Sequence, residues 1–306
     1  MTHRLLLDTS SLLYRAFFAI PATITDRDGR PVNAVRGYLD MTAALVRNRN
    51  PDEVVHVYDD DWRPAERVAA YAGYKASRPA EPPEITDQLA LLREVLDLLG
   101  MAQASAPGWE AEDAIGTLAA RARARDRIEV VTGDRDLIQL VRDPTVRLLF
   151  TRRGVSELDE LDEAAVLERY GIAPDRYADL AILRGDPSDG LPGVRGVGPK
   201  TATALVAAYP DLNAMLEDAE AERAGPGPLR GAPGLKARLR GAAEYIEAMR
   251  RVVPIRTELE VSEWRGEPDA EALERTGERR AIAEPVRRLR EALEAQRTPR
   301  RARRTS

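Results

Sequence analysis

Residues 4–10 have the sequence RLLLDTS, an apolar run that ends at Asp8. Two later segments repeat this design: 54–58, followed by Asp59, and 129–132, followed two residues later by Asp134. Short runs rich in Val and Leu are typical of buried strands in a parallel sheet. Because ligands bind beyond the carboxyl ends of such strands, we expect the three aspartates to converge at one edge.

Helical patterns separate these apolar runs. The clearest ones predict helices over residues 34–47, 86–99 and 112–123. Alternation of buried strands with helices predicts an α/β domain with a mostly parallel central sheet and helices on both faces. We place this catalytic domain at residues 1–172.

The predicted secondary structure changes from Pro174 onward, where helices are interrupted by glycine and proline. Helices are predicted over residues 176–183, 201–208 and 235–252, with a flexible connection at 224–234. We therefore expect a helical domain over residues 173–262. The remainder, 263–306, is expected to be a charged, helical or disordered tail rich in arginine.

Composition excludes several chemistries. The chain of 306 residues has no cysteine and two histidines, which argues against disulfides, thiolate metal sites and a histidine-based triad. Its formal net charge is -5, so attraction to nucleic acid would have to come from local basic patches. No stretch is apolar enough to span a bilayer, and Asp8 and Arg15 interrupt the opening apolar run, so a cytoplasmic location is expected.

Further acidic residues accompany the aspartates at the strand ends. The candidate set has nine carboxylates: Asp8, Asp59, Glu110, Glu112, Asp113, Asp134, Asp136, Asp186 and Asp189. If these groups converge, their mutual repulsion would keep several protonated near neutral pH unless cations are bound. Ligation by oxygen alone favours Mg²⁺ or Mn²⁺, and two or more such ions suit hydrolysis of a phosphodiester.

Each acidic group also has a purely structural interpretation. Glu110, Glu112 and Asp113 could stabilise the dipole of a helix that begins there. Asp8 and Asp59 could cap helices or form loop turns, and Asp134 and Asp136 could form a turn. Repeated acids at successive strand ends, most without an adjacent basic partner, have no ordinary structural purpose. The metal-site interpretation is therefore favoured.

The segment 193–202 reads GVRGVGPKTA and is similar to a helix-hairpin-helix motif. Glycines permit a tight turn, and proline suits the first turn of the helix that follows. Backbone amides at such a turn bind phosphate irrespective of base identity. We expect DNA contact here instead of a plain turn between helices; the residues concerned are Gly193, Arg195, Gly196, Gly198, Lys200 and Thr201.

A second basic patch precedes residue 86 and consists of Arg63, Arg67, Lys75 and Arg78. If it overhangs the acidic edge, its charges would hold the phosphates on either side of the scissile bond. Tyr14, Tyr71 and Tyr74 are then candidates for base stacking. The alternatives are a solvated loop for the basic residues and a place in the core for the tyrosines.

Six motifs in this order resemble the 5′-to-3′ exonuclease domain of bacterial DNA polymerase I and the related flap endonucleases, over about residues 4–260. They are LLLDTSSLLYRAFFAIP, NAVRGYLD, VYDDDWRPAERV with AGYKASRP, PGWEAEDAIGTLA, VVTGDRDLIQLV and LRGDPSDGLPGVRGVGPKTA. The resemblance implies a PIN-like nuclease fold with a helix-hairpin-helix domain, in a stand-alone nuclease without a polymerase.

The resemblance also implies residue roles and partners. It assigns metal binding to the nine carboxylates, phosphate handling during catalysis to Lys75 and Arg78, and DNA contacts to Tyr14, Arg67 and the hairpin. The implied substrates are 5′ flaps, nicked or gapped duplexes and 5′ ends of DNA, and RNA primers in hybrids, during replication or repair. A potassium ion at the hairpin is implied as well. A location at the nucleoid is expected, and the oligomeric state stays open, with a monomer as the default.

Four positions depart from the family pattern, and one of them, Pro199 in place of a glutamate, is usual in helix-hairpin-helix motifs. Glu112 stands where the family usually has aspartate, Glu66 replaces an aromatic residue, and Thr9 replaces a glycine. Glu112 and Glu66 motivate an alternative, a catalytically weakened protein that binds branched DNA. A ribonuclease on a similar acidic fold is a third possibility, but it would leave the glycine hairpin without a purpose.

Overall fold

A computed structural model describes residues 2–152, 154–221 and 227–304, with the backbone alone for 297–304. Its centre is a seven-stranded sheet in the order β6-β5-β4-β1-β2-β3-β7. The strands are β1 (His3–Asp8), β2 (Glu53–Val57), β3 (Ala102–Ser105), β4 (Arg127–Thr132), β5 (Val146–Thr151), β6 (Leu158–Leu161) and β7 (Ser262–Arg265). The five inner strands are parallel, and β6 and β7 are antiparallel edges.

The inner strands are apolar because both faces of the sheet are covered. In β1, Leu5 and Leu7 belong to one hydrophobic core and Leu6 to the other, and all three side chains are fully buried. Successive side chains of a strand point to opposite faces, so a strand between two layers of helices is apolar throughout. The predicted mostly parallel sheet with helices on both faces is confirmed.

Helices cover the sheet in two layers. The helices that precede the helical domain are α1 (Thr9–Ala19), α2 (Asn33–Arg49), α3 (Ala65–Ala70), α4 (Pro83–Leu98), α5 (Ala111–Ala120) and α6 (Glu163–Tyr170). Helices α1, α2 and α4 contribute to the core that contains Leu5, whereas α5 contributes to the core that contains Leu6. Helix α5 therefore lies on the same face as the helical domain.

The helical domain begins after a 3-10 turn at Pro174–Arg176. Its helices are α7 (Tyr177–Arg184), α8 (Pro199–Ala208), α9 (Leu212–Glu220), α10 (Pro233–Gly241) and α11 (Ala243–Val252). The single helix predicted over 235–252 is therefore wrong: it divides into α10 and α11. Gly241 ends α10, in keeping with the low helix propensity of glycine. Residues 224–226 of the predicted connection lie outside the described residues.

Residues 262–296 do not form a separate tail. Strand β7 pairs with β3, and α12 (Ala270–Arg279) and α13 (Ala283–Arg304) follow it. Leu273, Ile282, Val286 and Leu289 are buried in the same core as α2 and α4. The side chains of residues 297–306, which include the last arginines of the predicted tail, lie outside the described residues.

This correction has a physical reason. Only a narrow apolar stripe of α13 faces the core, and the arginines around it dominate its composition. One of them, Arg288, donates to both carboxylate oxygens of Asp40 on α2, at 2.8 and 3.0 Å. A helix that the sequence predicts to be polar on nearly all sides is thus held by the buried side chains of Val286, Leu289 and Ala292 and by a bidentate ion pair.

Candidate metal and nucleic-acid site

The aspartates at the carboxyl ends of the strands lie together, as the parallel sheet requires. Asp8 ends β1 and caps α1 by accepting from the Ser11 amide at 3.1 Å. Its other oxygen accepts from the Thr132 hydroxyl at 2.6 Å, at the end of β4. The same Thr132 oxygen accepts from the Asp134 amide at 2.9 Å. Thr132 therefore joins two of the predicted ligands.

Asp59 joins β2 to the start of α5. One of its oxygens accepts from the Ala111 amide at 2.8 Å, and the other accepts a short hydrogen bond from the Ser10 hydroxyl. This arrangement places the end of β2 next to the acidic residues of α5. The cap role and the metal role predicted for these carboxylates are compatible, because a carboxylate in a cap still has free lone pairs.

Glu110, Glu112 and Asp113 form a compact cluster at the start of α5. One carboxylate oxygen from each lies within 4.8 Å of the others. Glu112 and Asp113 occupy the first turn of the helix, as their structural interpretation predicted. Glu112 joins the cluster although it is one methylene longer than the usual aspartate. Asp113 is fully buried, and its Oδ2 has no hydrogen-bond partner among the described residues.

Arg67 lies behind this acidic cluster and has no exposed surface. Its guanidinium donates to Glu112 at 3.0 Å, to Asp113 at 2.8 Å, and through a short contact to Glu110. The prediction that Arg67 contacts DNA is therefore corrected, because a side chain buried among carboxylates cannot reach a phosphate. Arg67 instead holds three predicted ligands in one place.

Lys75 and Arg78 lie at the same edge. Lys75 forms a short ion pair with Glu110, and its backbone has a left-handed φ of 50°. Its amide donates to the Asp189 carbonyl at 2.8 Å. Arg78 donates to the Asp189 carboxylate at 2.6 Å. The loop that carries both cations is thereby fastened to the turn that carries Asp189.

The remaining predicted ligands lie at the same edge of the sheet, and we call the site formed by the nine carboxylates the carboxylate cleft. Asp134 accepts from the Asp136 amide at 2.9 Å. Asp186 caps the 3-10 turn Pro187–Asp189 by accepting from the Ser188 amide. Removal from water raises the pKa of Asp136 well above its ordinary value, and the negative charges of Asp134, Glu112, Asp189 and Asp186 raise it further.

The same crowding affects the other acids. Burial raises the pKa of Asp8 to about 7, with smaller contributions from Asp59 and Asp134. Removal from water, followed by the charge of Glu112, raises the pKa of Asp134 to about 6. Burial also raises the pKa of Asp113 to about 7, although Arg67 opposes the shift. A cation bound among these oxygens would relieve the repulsion.

The donor set fits a hard divalent cation. All candidate ligands are carboxylates, and the unpartnered Oδ2 of Asp113 is a buried acceptor of the kind that a cation satisfies. The two histidines are engaged elsewhere: His3 bonds Glu129 at 2.8 Å and His56 bonds the Tyr38 hydroxyl at 2.6 Å.

The glycine hairpin precedes α8. Gly193 and Gly196 adopt φ of 70° and 76°, and a Cβ at Gly193 would lie 2.5 Å from the Arg184 backbone, so glycine is required there. Gly198 caps α8 and Pro199 begins it. The surface formed by Arg195, Gly196, Gly198 and Lys200 is exposed, whereas Thr201 is half-buried.

The three tyrosines predicted to stack on bases differ in how exposed their rings are. Tyr74 is buried, and its hydroxyl donates to Glu110 at 2.5 Å, so it is a core residue and not a stacking platform. Tyr71 packs edge-on against Tyr245 of α11. Tyr14 is half-buried and donates to Glu81 at 2.7 Å. Arg63 donates to the Tyr74 carbonyl at 2.7 Å and so supports the loop that carries Lys75.

Sequence reasoning missed several residues that organise the site. Thr132 and Ser10 hold the aspartates, and a hydroxyl beside a strand-end aspartate is a signal that could have found them. Arg256, whose amide donates to Asp113 at 2.9 Å, gave no such signal because 143 positions separate the two residues.

Comparisons with known families agree with this architecture. The family model described as 5′-3′ exonuclease, N-terminal resolvase-like domain, matches residues 3–171, and the 5′-3′ exonuclease C-terminal SAM fold matches residues 172–276. In the part of the chain that the structure describes, no helix is long and apolar enough to cross a membrane.

Two curated relatives are similar over most of their length. A 5′-3′ exonuclease of Mycobacterium tuberculosis is 44% identical over 84% of this chain and 85% of its own. A 5′-3′ exonuclease of Streptomyces coelicolor is 41% identical over 93% and 98%. DNA polymerase I of Mycobacterium bovis is 44% identical over 72% of this chain, which corresponds to 24% of that polymerase.

Solved structures share the fold at low identity. A bacteriophage T5 flap endonuclease in a complex with DNA and metal ions has a TM-score of 0.65 at 13% identity, over 96% of this chain and 99% of its own. The catalytic core of Rad2 with a DNA substrate has a TM-score of 0.58 at 18% identity, over 96% and 92%. The family resemblance predicted from the six motifs is confirmed, and the chain belongs to the 5′-3′ exonuclease family.

Proposed function

We propose that this protein is a divalent-metal-dependent, structure-specific 5′ nuclease that hydrolyses phosphodiesters at 5′ ends and 5′ flaps of DNA. The observation that carries the proposal is the cleft of carboxylates at the carboxyl edge of the sheet. The exposed residues of the glycine hairpin, among them Arg195 and Lys200, supply a second, independent surface for phosphate. The proposal extends to a division into a catalytic domain at 1–172 and a DNA-binding domain at 173–262.

The nine carboxylates are the proposed metal ligands. Bound divalent ions would lower the pKa of an attacking water and stabilise the charge of the scissile phosphate. The chain's own part is to orient the ligands: Thr132 fixes Asp8 and Asp134, and Arg67 fixes the cluster on α5. Bound cations would relieve the repulsion that otherwise raises the pKa of several of these carboxylates.

Lys75 and Arg78 are the proposed catalytic cations. Arg78 is partly exposed beside Asp189, so a phosphate that enters the site would meet it directly. Lys75 is buried but retains a small exposed area, unlike Arg67, and it would have to exchange its ion pair with Glu110 for a contact with the phosphate. Each would donate hydrogen bonds to a phosphate oxygen, where the charge increases in the transition state. The left-handed backbone of Lys75 is consistent with a residue held in place for a function.

The hairpin is the proposed holder of duplex DNA. Backbone amides at the start of α8 and the side chains of Arg195 and Lys200 would contact one strand without reading bases. The Gly193 amide already donates to the Tyr245 hydroxyl at 3.0 Å and so supports the turn itself. This local surface explains how a chain with a net charge of -5 could bind DNA. We further propose that Mg²⁺ is the working ion, that Mn²⁺ can replace it, and that a potassium ion binds at the hairpin. RNA primers in hybrids are further proposed substrates. The protein is proposed to be a monomer located at the nucleoid.

Cleavage of a DNA 5′ flap labelled at its 3′ end tests the proposal. We expect metal-dependent cuts within about a nucleotide of the junction in Mg²⁺ or Mn²⁺, and none in chelator. Asp134→Ala and Asp186→Ala should each reduce the rate by about a hundredfold or more, because each removes a proposed ligand. Glu168→Ala, an exposed acid on α6, is the matched control and should leave the rate unchanged.

Other outcomes would identify a different function. Tight binding of the flap without product in either metal would favour the branched-DNA-binding alternative. Cleavage of RNA alone, unaffected by competing duplex DNA, would indicate the ribonuclease. Full activity of Asp134→Ala would exclude the proposed metal site.

A further inference from the structure

The segment that leaves the helical domain crosses the acidic site before it joins the sheet. We call residues 253–259 the cross-domain strap. The Ile255 amide donates to Gln139 at 3.0 Å, and the Leu259 amide donates to the Thr117 hydroxyl at 3.3 Å. A Cβ at Gly116 would lie 2.7 Å from the Arg256 carbonyl oxygen, so only glycine lets the strap lie this close to α5.

The strap contacts both halves of the carboxylate cleft. The Arg256 amide donates to Oδ1 of Asp113 at 2.9 Å, the same oxygen that accepts from Arg67 at 2.8 Å. Gln139, which accepts from Ile255, donates in turn to the Asp136 carbonyl at 2.9 Å. A displacement of the strap would therefore change the positions of two proposed ligands on different elements.

The side chain of Arg256 holds the strap in place. Its guanidinium donates to Glu66 at 2.5 Å and to the Arg251 carbonyl, near the end of α11, at 3.2 Å. It also lies 5.3 Å from the centre of the Trp109 ring, and Arg67 lies 5.9 Å from the same ring. One side chain thus connects the helical domain, α3 and the residue that precedes Glu110.

The ion-pair partner of Arg256 departs from the pattern that the resemblance predicts. Glu66 stands where the resemblance predicted an aromatic residue, and the structure gives it Arg256 as an ion-pair partner. Glu66 adjoins Arg67, the residue that holds the acidic cluster on α5. The pair is partly exposed, at 31% for Arg256 and 48% for Glu66, and such pairs contribute little to stability. A role in positioning explains its placement better than a role in holding the fold together.

We propose that Arg256 is a positioning residue that couples DNA binding by the helical domain to the geometry of the carboxylate cleft. The inference rests on the proposed nuclease function and adds a route by which duplex on the hairpin changes metal affinity. Coupling between two sites is reciprocal, so DNA should tighten metal binding by the factor by which metal tightens DNA binding. Removal of the Arg256 side chain should abolish that factor while each ligand still binds alone.

The test measures Mn²⁺ binding to the full chain from the signal of the free ion, with and without a phosphorothioate-protected nicked duplex. In the wild-type protein, we expect DNA to tighten Mn²⁺ binding by about fivefold or more, within the usual range of coupling. In Arg256→Ala the change should be less than about twofold, whereas Arg256→Lys, which retains the charge, should preserve most of it. Arg169→Ala, which removes an ion pair with Asp159 on the edge strand β6, is the control and should behave as wild type.

Glu66→Ala provides a second variant that leaves the strap itself intact. It should lose the coupling as Arg256→Ala does, and the exchange Glu66→Arg with Arg256→Glu should restore part of it. Equal tightening in the wild type and in both alanine variants would overturn the inference, as would no tightening in the wild type or a loss in Arg169→Ala. A wild-type protein that fails to cleave a flap would instead contradict the proposed function, so the two failures are distinguishable.

Discussion

Thr132 shows how one buried hydroxyl organises two ligands. It has no exposed surface, donates to Asp8 at 2.6 Å and accepts from the Asp134 amide at 2.9 Å. Thr132→Val keeps the shape but removes both hydrogen bonds. We expect the apparent affinity for Mg²⁺ to fall by about tenfold or more, because groups that orient ligands typically contribute that much. Flap cleavage over a range of Mg²⁺ concentrations, together with direct Mn²⁺ binding, measures the change.

The conservative variant separates this role from packing. Thr132→Ser retains the hydroxyl and loses a methyl group, so it should keep metal affinity near that of the wild type while losing some stability. Should Thr132→Ser weaken metal binding as much as Thr132→Val, the methyl contact and not the hydroxyl would be responsible.

Part of the site could be predicted from the sequence, and part could not. Asp8, Asp59 and Asp134 could be placed together because the parallel order of β1, β2 and β4 fixes which strand ends meet. The burial of Arg67 could not be predicted, since a basic residue in an apparent loop does not show which acids will fold around it. Its charge is stabilised by three carboxylates that lie more than 40 positions away.

Among the secondary-structure elements, helix α13 is the one whose contribution to the core can be tested most directly. Leu289 is fully buried against the core beneath α2, although its helix is rich in arginine. Leu289→Ala should lower the free energy of unfolding by about 2–5 kcal/mol, the usual cost of such a cavity. Leu167→Ala on α6 removes the same atoms from a side chain that is 56% exposed and should cost far less. Urea unfolding of the two variants measures the difference.

This comparison also tests whether residues 283–296 belong to the folded core or to a tail. If Leu289→Ala and Leu167→Ala are equally mild, residues 283–296 do not contribute to the core and the predicted tail would be restored. Strands such as β3 and β7 have four residues each and no long apolar run, so pattern alone could not identify them. Their pairing is decided by tertiary context: Trp264 of β7 stacks on Tyr58 at 6.2 Å, beside the end of β2.

For the whole molecule, the acidic cleft links stability to pH and to metal. The pKa values of Asp8 and Asp113 are raised to about 7 and that of Asp134 to about 6, from an ordinary value of 3.8. Between about pH 4 and pH 7, the folded, metal-free protein therefore holds protons that the unfolded chain has released. Its free energy of unfolding should therefore fall as the pH rises from about 4 to about 7, because stability falls wherever the folded state binds more protons.

Divalent metal should reverse this trend. Mg²⁺ binds the ionised carboxylates, so its binding competes with protons and strengthens as they leave. Thermal melting in millimolar Mg²⁺ should accordingly show a larger rise in Tm at about pH 8 than at about pH 5, relative to chelator with matched ionic strength. In Asp8→Asn, one of the groups with a raised pKa is neutral at every pH, so both the metal-free decline and the response to Mg²⁺ should shrink. An equal rise in Tm at both pH values would mean that Mg²⁺ acts elsewhere on the protein, and the cleft would lose its role as the metal centre.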